Sequence, residues 1–142
     1  MLLELVLALT IVLLMFAIAW PLAMRGTGPA QHSATALDIA TLLRIDRSAA
    51  AKGGTSRGTR IDLARRTVTG ANGRQVTVPE DIGIEVTTTA NCIEGVQRFL
   101  IQFAPDGSSC GGFVVLRRGE QAVAIRINWL SGMIDVISLP KT

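Results

Sequence analysis

A chain of 142 residues, 49% of them hydrophobic and 18% charged, holds one membrane-length segment and one small domain, and is too short for two full-sized domains. The formal charge is +3, and all fourteen cations except Lys52 and Lys141 are arginine; scattered surface charge accounts for this without an anionic partner. Aromatic residues make up 4% with no Tyr, which argues against stacked recognition of single-stranded nucleic acid or of sugars.

The first segment, MLLELVLALTIVLLMFAIAWPLAMR, has no charged side chain between Leu5 and Met24. At about 1.5 Å per residue that run covers roughly 30 Å, the thickness of a bilayer's hydrocarbon core. Glu4 stands almost at its start. An intramembrane acid costs about 2.5–3.5 kcal/mol on insertion scales and marks function unless a partner cation or water offsets it. A cleaved signal peptide would begin basic and run shorter, and a plain single-span anchor leaves Glu4 without a role.

Arg25-Gly26-Thr27-Gly28-Pro29 then interrupts the pattern. Two glycines and a proline disfavour continued helix, so the spine is expected to kink near Pro21 and Pro29. Helical spacing resumes from about Ala30 to Lys52, with Ile39, Leu42, Leu43, Asp46, Ala49 and Ala50 on one face, and Gly53-Gly54 supply a stop. Beyond Gly54 the period becomes two. Strands are predicted at Arg60–Leu63, Arg66–Thr69, Gln75–Val78 (after an Asn72-Gly73 turn), Ile82–Val86, Arg98–Ala104, Phe113–Arg117, Ala122–Asn128 and Met133–Ile137. The fold class is therefore α+β: a long N-terminal transmembrane and amphipathic helix packed on an antiparallel domain of about eight short strands.

Catalytic chemistry finds no footing. The sole histidine, His32, lies at the start of the amphipathic helix, where a solvated or capping position is expected rather than a general base. Asp106 in Pro-Asp-Gly-Ser-Ser lacks the companion carboxylates of a calcium site and reads as a tight turn. Cys92 and Cys110 leave three readings open, namely a bridge, two unpaired thiols, or metal ligands, the last without a Cys-x-x-Cys or a nearby histidine. No enzyme activity, cofactor or metal is expected.

LLELVLALTIVLLMFAIAWP resembles the N-terminal segment of type IV pilins and type II secretion pseudopilins. In that family a short basic leader ends in Gly, the mature chain begins Phe-Thr-Leu-Leu-Glu, and a proline follows the Glu by seventeen residues, the spacing of Glu4 and Pro21. Met1 then falls at the second mature position, so a leader ending in Gly and a first hydrophobic residue are expected to be encoded upstream. LLRIDRSAAAKGGTSRGTRIDL resembles the family's Arg-x-x-Ala-x-x-x-Gly stretch and following strand. FAPDGSSCGGFVVL and INWLSGMIDV resemble its Phe-x-Pro-Asp-Gly-Ser-Ser turn and closing strand. Together they are similar to the minor pseudopilin H and FimT family.

The resemblance implies residues 1–25 as transmembrane and filament-core helix, 26–54 as the amphipathic continuation of the spine, and 55–142 as a periplasmic β domain. Glu4 would dock a neighbouring subunit's N-terminal amine, with Leu2, Leu3, Leu5 and Pro21 in the filament-core helix. It further implies a single pass of a bacterial inner membrane, methylation of the mature N-terminus, and assembly with the I, J and K minor pseudopilins and the major pseudopilin G, with a secreted protein as a further contact. An oxidising compartment would favour a Cys92–Cys110 bridge, worth roughly 3 kcal/mol in the chain-entropy model. The alternative within the same superfamily is a FimT-like, DNA-binding minor pilin for natural transformation. Its phosphate contacts would be Arg65, Arg66, Arg74, Arg117 and Arg118; charge protecting a strand edge is the competing explanation for those arginines.

Overall fold

A computed structural model of the chain describes residues 1–23 and 29–141. It divides into two compact units, Met1–Gln31 and His32–Thr142. The first contains helix α1, Leu2–Ala23. Its Leu, Ile and Ala content favours helix, and its one hydroxyl, Thr10 Oγ1, donates to Leu7 O at 2.8 Å, so that hydroxyl is satisfied within the apolar rod. The helix runs on through Pro21 to Ala23, so that proline does not end it; the expected interruption over 24–28 lies outside the described residues. Pro29 opens helix α2, Pro29–Gly53, at a first-turn position where its missing N–H is no loss. Gly54, at φ 63°, closes α2 in the left-handed region.

The second unit packs α2 against two antiparallel sheets. One is ordered β3-β2-β1-β6-β5, from β1 (Arg57–Asp62), β2 (Thr67–Thr69), β3 (Gln75–Thr77), β5 (Ile93–Gly95) and β6 (Arg98–Phe103). The other is ordered β4-β7-β8-β9, from β4 (Gly83–Thr87), β7 (Gly112–Arg118), β8 (Gln121–Ile127) and β9 (Ile134–Leu139). The fold class stands as expected, with nine strands in place of about eight. The added strand, β5, is three exposed residues with an irregular register against β6, too short to show alternation.

Ala36, Ile39, Ala40, Leu42, Leu43 and Ala50 of α2 are buried against Ile61, Val68, Ile101, Phe103, Val114, Leu116 and Ile125 from both sheets. Burying each large side chain contributes about 1.5–3 kcal/mol, which is why the apolar stripe and not helix propensity holds α2 in place.

The two ends of this unit are distinguishable. At the start of α2, His32 Nε2 meets Leu116 O at 2.9 Å, close to the turn that joins β7 to β8. About 22 Å further along the helix, Arg47 Nη2 donates to Ser131 O at 2.9 Å in the β8–β9 loop. That far end also holds the end of β6, where Phe103 bridges Ser109 and Ser109 N donates to Trp129 O at 2.8 Å. The end of β1 and the start of β6, paired through Asp62 and Arg98, therefore lie at the near end, where α2 begins.

Candidate assembly surface

In α1 every side chain whose burial is described is exposed, Leu3 at 84% among them, although nearly all are apolar. Leu2–Trp20 is long and apolar enough to cross a membrane. Such a face is stable only in hydrocarbon or against other apolar helices. Glu4 sits in its first turn, where unpaired backbone N–H groups and the helix dipole favour negative charge. Its carboxylate has no ion pair among the described residues. The arrangement is a greasy rod with one acid at its tip and no internal cation, suited to receiving a cation from outside.

The second unit is fastened to its helix by buried polar groups. His32, expected at a solvated or capping position, is instead 1% exposed. Its Nε2 donates to the Leu116 carbonyl, which fixes the tautomer, because a carbonyl can only accept. The misplacement is physical: its partner lies 84 residues away and leaves no local signal. Asp46, read as one position in the apolar stripe, is a carboxylate 1% exposed. It accepts from Thr59 Oγ1 at 2.6 Å and, through both oxygens, from Ala71 N at 3.1 Å, tying α2 to β1 and to the β2–β3 turn. Arg44 Nη2 donates to Ile134 O at 3.0 Å.

Cys92 and Cys110 form a disulfide with Cα atoms 6.3 Å apart. It joins the 3-10 turn Ala90–Cys92 beside β5 to the segment leading into β7, and so links the two sheets. Next to it, Gly112 at φ 133° approaches Thr87 so closely that a Cβ would stand 2.2 Å from the Thr87 carbonyl oxygen. Asp106 closes the preceding turn, accepting from Ser108 Oγ at 2.6 Å and Ser108 N at 3.0 Å. These bonds, the hydroxyl's first, hold its carboxyl below the ordinary carboxylate range. In the β8–β9 loop, Asn128 Oδ1 accepts from Leu130 N and Ser131 N, which leaves Trp129, Leu130 and Met133 facing solvent.

The five candidate phosphate-binding arginines do not form one surface. Arg66, at φ 56°, turns its guanidinium inward onto the carbonyls of Val78, Pro79 and Ile82. That guanidinium is a structural clasp rather than an anion contact. Arg117 pairs with Glu85 at 3.3 Å and Arg118 with Asp81 at 3.0 Å, both in the other sheet from Arg65 and Arg74. Arg74 follows the Asn72-Gly73 turn, where its backbone N–H donates to Asn72 Oδ1. Arg65 lines a hollow with Arg60, Glu94, Val96 and Arg98. There Arg60 is paired with Glu94 at 3.0 Å, which raises the Arg60 pKa through that hydrogen bond first. Among the described residues no group of three or more His, Cys, Asp and Glu is placed to hold a metal ion.

No model of a known protein family matches the sequence, and no curated protein matches it. The fold is similar to that of EpsH, a minor pseudopilin from the Type 2 Secretion System of Vibrio cholerae, with a TM-score of 0.59 and 14% identity over 75% of this chain and 95% of that one. It is also similar to the type IV minor pilin FimU of Pseudomonas aeruginosa, with a TM-score of 0.57 and 12% identity over 79% of this chain and 95% of that one. A second FimU structure gives 0.55 and 12%, over 77% and 98% of the two chains. The chain thus has a pilin-like fold.

Proposed function

We propose that this chain is a minor pseudopilin of a type II secretion system, held in a bacterial inner membrane and assembled at or near the tip of a periplasmic pseudopilus. The observation that carries the reading is α1: a helix of membrane-spanning length, apolar on all described sides, with one acid in its first turn that has no ion pair among the described residues, in a chain of pilin-like fold. In this reading residues 1–25 form the filament core, 26–54 continue the spine, and 55–142 form the periplasmic β domain. Leu2, Leu3, Leu5 and Pro21 belong to the packing helix.

Glu4 is the docking group. A carboxylate without a partner cation is costly to hold in low dielectric, and pairing with the N-terminal amine of a neighbouring subunit removes that cost. The attraction is strongest where water is excluded, so it draws the incoming helix out of the bilayer and into register. A cytoplasmic ATPase supplies the work, and this chain supplies binding surfaces, with no chemistry of its own. Its partners are the I, J and K minor pseudopilins and the major pseudopilin G, with secreted protein a further contact at the tip.

The FimT-like reading, with the arginines binding DNA, draws support from the likeness to a type IV minor pilin. It loses support where Arg66 is internally engaged and Arg117 and Arg118 are already paired with acids. Replacing Glu4→Leu tests the leading reading. Membrane insertion and the β domain's fold should persist, while crosslinking to partner pseudopilins falls to a small fraction of wild type. Wild-type crosslinking by that variant would refute the docking role.

A further inference from the structure

We propose that the arginine hollow at the near end of the β unit is a docking site for anionic lipid headgroups, seating the domain on the bilayer while α1 resides in it. The proposal rests on α1 crossing a membrane and not on which filament the chain enters.

The hollow is built from two turns bonded to each other. Asp62 Oδ1 accepts from Arg65 N at 2.9 Å and closes the β1–β2 turn, while Leu63 N donates to Gln97 O at 2.9 Å, pinning the β5–β6 turn beside it. Glu94 is taken by Arg60. Arg65 and Arg98 have no carboxylate partner among the described residues, and the Arg98 guanidinium lies close to Gly95. Between them Val96 stands 89% exposed at the hairpin tip. Asp62, opposite Arg98 in the β1–β6 register, lines the same hollow, so three guanidiniums face two carboxylates there. That excess of cation beside a bare apolar side chain matches a bilayer interface, with phosphate for the cation and acyl chain for the valine.

Position decides among anionic partners. The hollow lies at the end of the unit where α2 begins, and the chain between Ala23 and Pro29 reaches at most about 20 Å when extended. Lipid phosphate is therefore present at this end at high local concentration whenever α1 is inserted. Duplex nucleic acid would engage a longer row of cations, but Arg117 and Arg118 belong to the other sheet and are already paired with Glu85 and Asp81.

The test uses the full chain with Val96→Cys. Cys92 and Cys110 are bridged, so this adds one free thiol, which takes an environment-sensitive fluorophore. In vesicles of phosphatidylcholine with phosphatidylglycerol, emission should shift to the blue and be quenched by spin-labelled lipid; in phosphatidylcholine alone it should report water. A label at Leu130→Cys, at the far end, should report water in both. Arg65→Gln and Arg98→Gln should each lower the docked-to-undocked ratio about fivefold, the equivalent of about 1 kcal/mol per cation at an anionic surface, and added salt should act likewise. Equal emission in both vesicle types, an unaltered response in the double variant, or a shift seen only on adding polyglutamate or duplex DNA would each overturn the proposal. Flotation separates the premises: flotation with an unresponsive label overturns this proposal alone, and failure to float overturns the membrane span with it.

Discussion

Asp46→Ala should be among the most damaging single substitutions in the β unit. The carboxylate is 1% exposed and accepts from the Thr59 hydroxyl, itself 0% exposed, and from the Ala71 amide. Alanine strands the buried Thr59 hydroxyl and leaves the part-buried Ala71 amide without its acceptor. An unsatisfied buried donor costs about 1–3 kcal/mol, and bonds to a charged acceptor sit at the upper end of that range, so a loss of about 3–4 kcal/mol is expected. For a domain of this size that is a large share of a total of about 5–15 kcal/mol and lowers the melting temperature by more than about 10 °C. Asp46→Asn keeps the shape and one acceptor oxygen and should lose about 1–2 kcal/mol. Thr59→Val removes one donor without stranding it, and in combination with Asp46→Ala it should recover about 1 kcal/mol or more of the single-variant loss. Urea unfolding of the full chain in detergent, followed by near-ultraviolet circular dichroism, gives each value from the midpoint at constant slope. Asp46→Ala costing under about 1 kcal/mol, or strict additivity with Thr59→Val, would refute the reasoning.

Replacing both Cys92 and Cys110 by Ser should cost about 2–4 kcal/mol, read as a matching drop in the urea midpoint; an unchanged midpoint would count against the bridge as a structural element. Gly112→Ala should cost about 2 kcal/mol or more, because its Cβ would meet the Thr87 carbonyl at 2.2 Å and its φ is 133°; near-neutral unfolding would contradict the close approach. Asp106 titrates below the ordinary carboxylate range, so its bonds to Ser108 contribute stability at neutral pH that disappears as pH falls through its lowered value. Asp106→Asn should weaken the acid-side decline of stability without altering the neutral-to-basic limb, as urea midpoints measured across pH would show.

Much of this fold is legible because its elements advertise themselves locally. The apolar run to Met24, the three-and-four spacing around Ile39 and Leu43, and the Asn72-Gly73 turn between alternating segments each carry their own periodicity. What escaped reading depends on contacts between distant segments. Asp46 falls on the helix stripe exactly where an apolar residue would, and only the arrival of Thr59 and Ala71 makes a carboxylate tolerable there. His32 is buried by β7, and Arg66 turns inward because the β3–β4 connection presents three carbonyls to it. β5 is held by β6 and by the neighbouring disulfide rather than by any preference of Ile93-Glu94-Gly95. Of the candidate assembly residues, Glu4 was conspicuous in the sequence since nothing around it is polar, whereas the Val96 hollow comes into being only when two turns meet.

The most direct measurement of filament assembly places a photo-crosslinking residue at Val12 or Phe16, mid-way along α1, in cells that express this chain at its native level. A subunit whose apolar helix packs into a filament core should give protein adducts with other pilin-like subunits, reduced when Glu4 is replaced by Leu. Adducts with lipid alone, unchanged by that replacement, would mean that α1 is a plain membrane anchor and that the chain does not enter a filament.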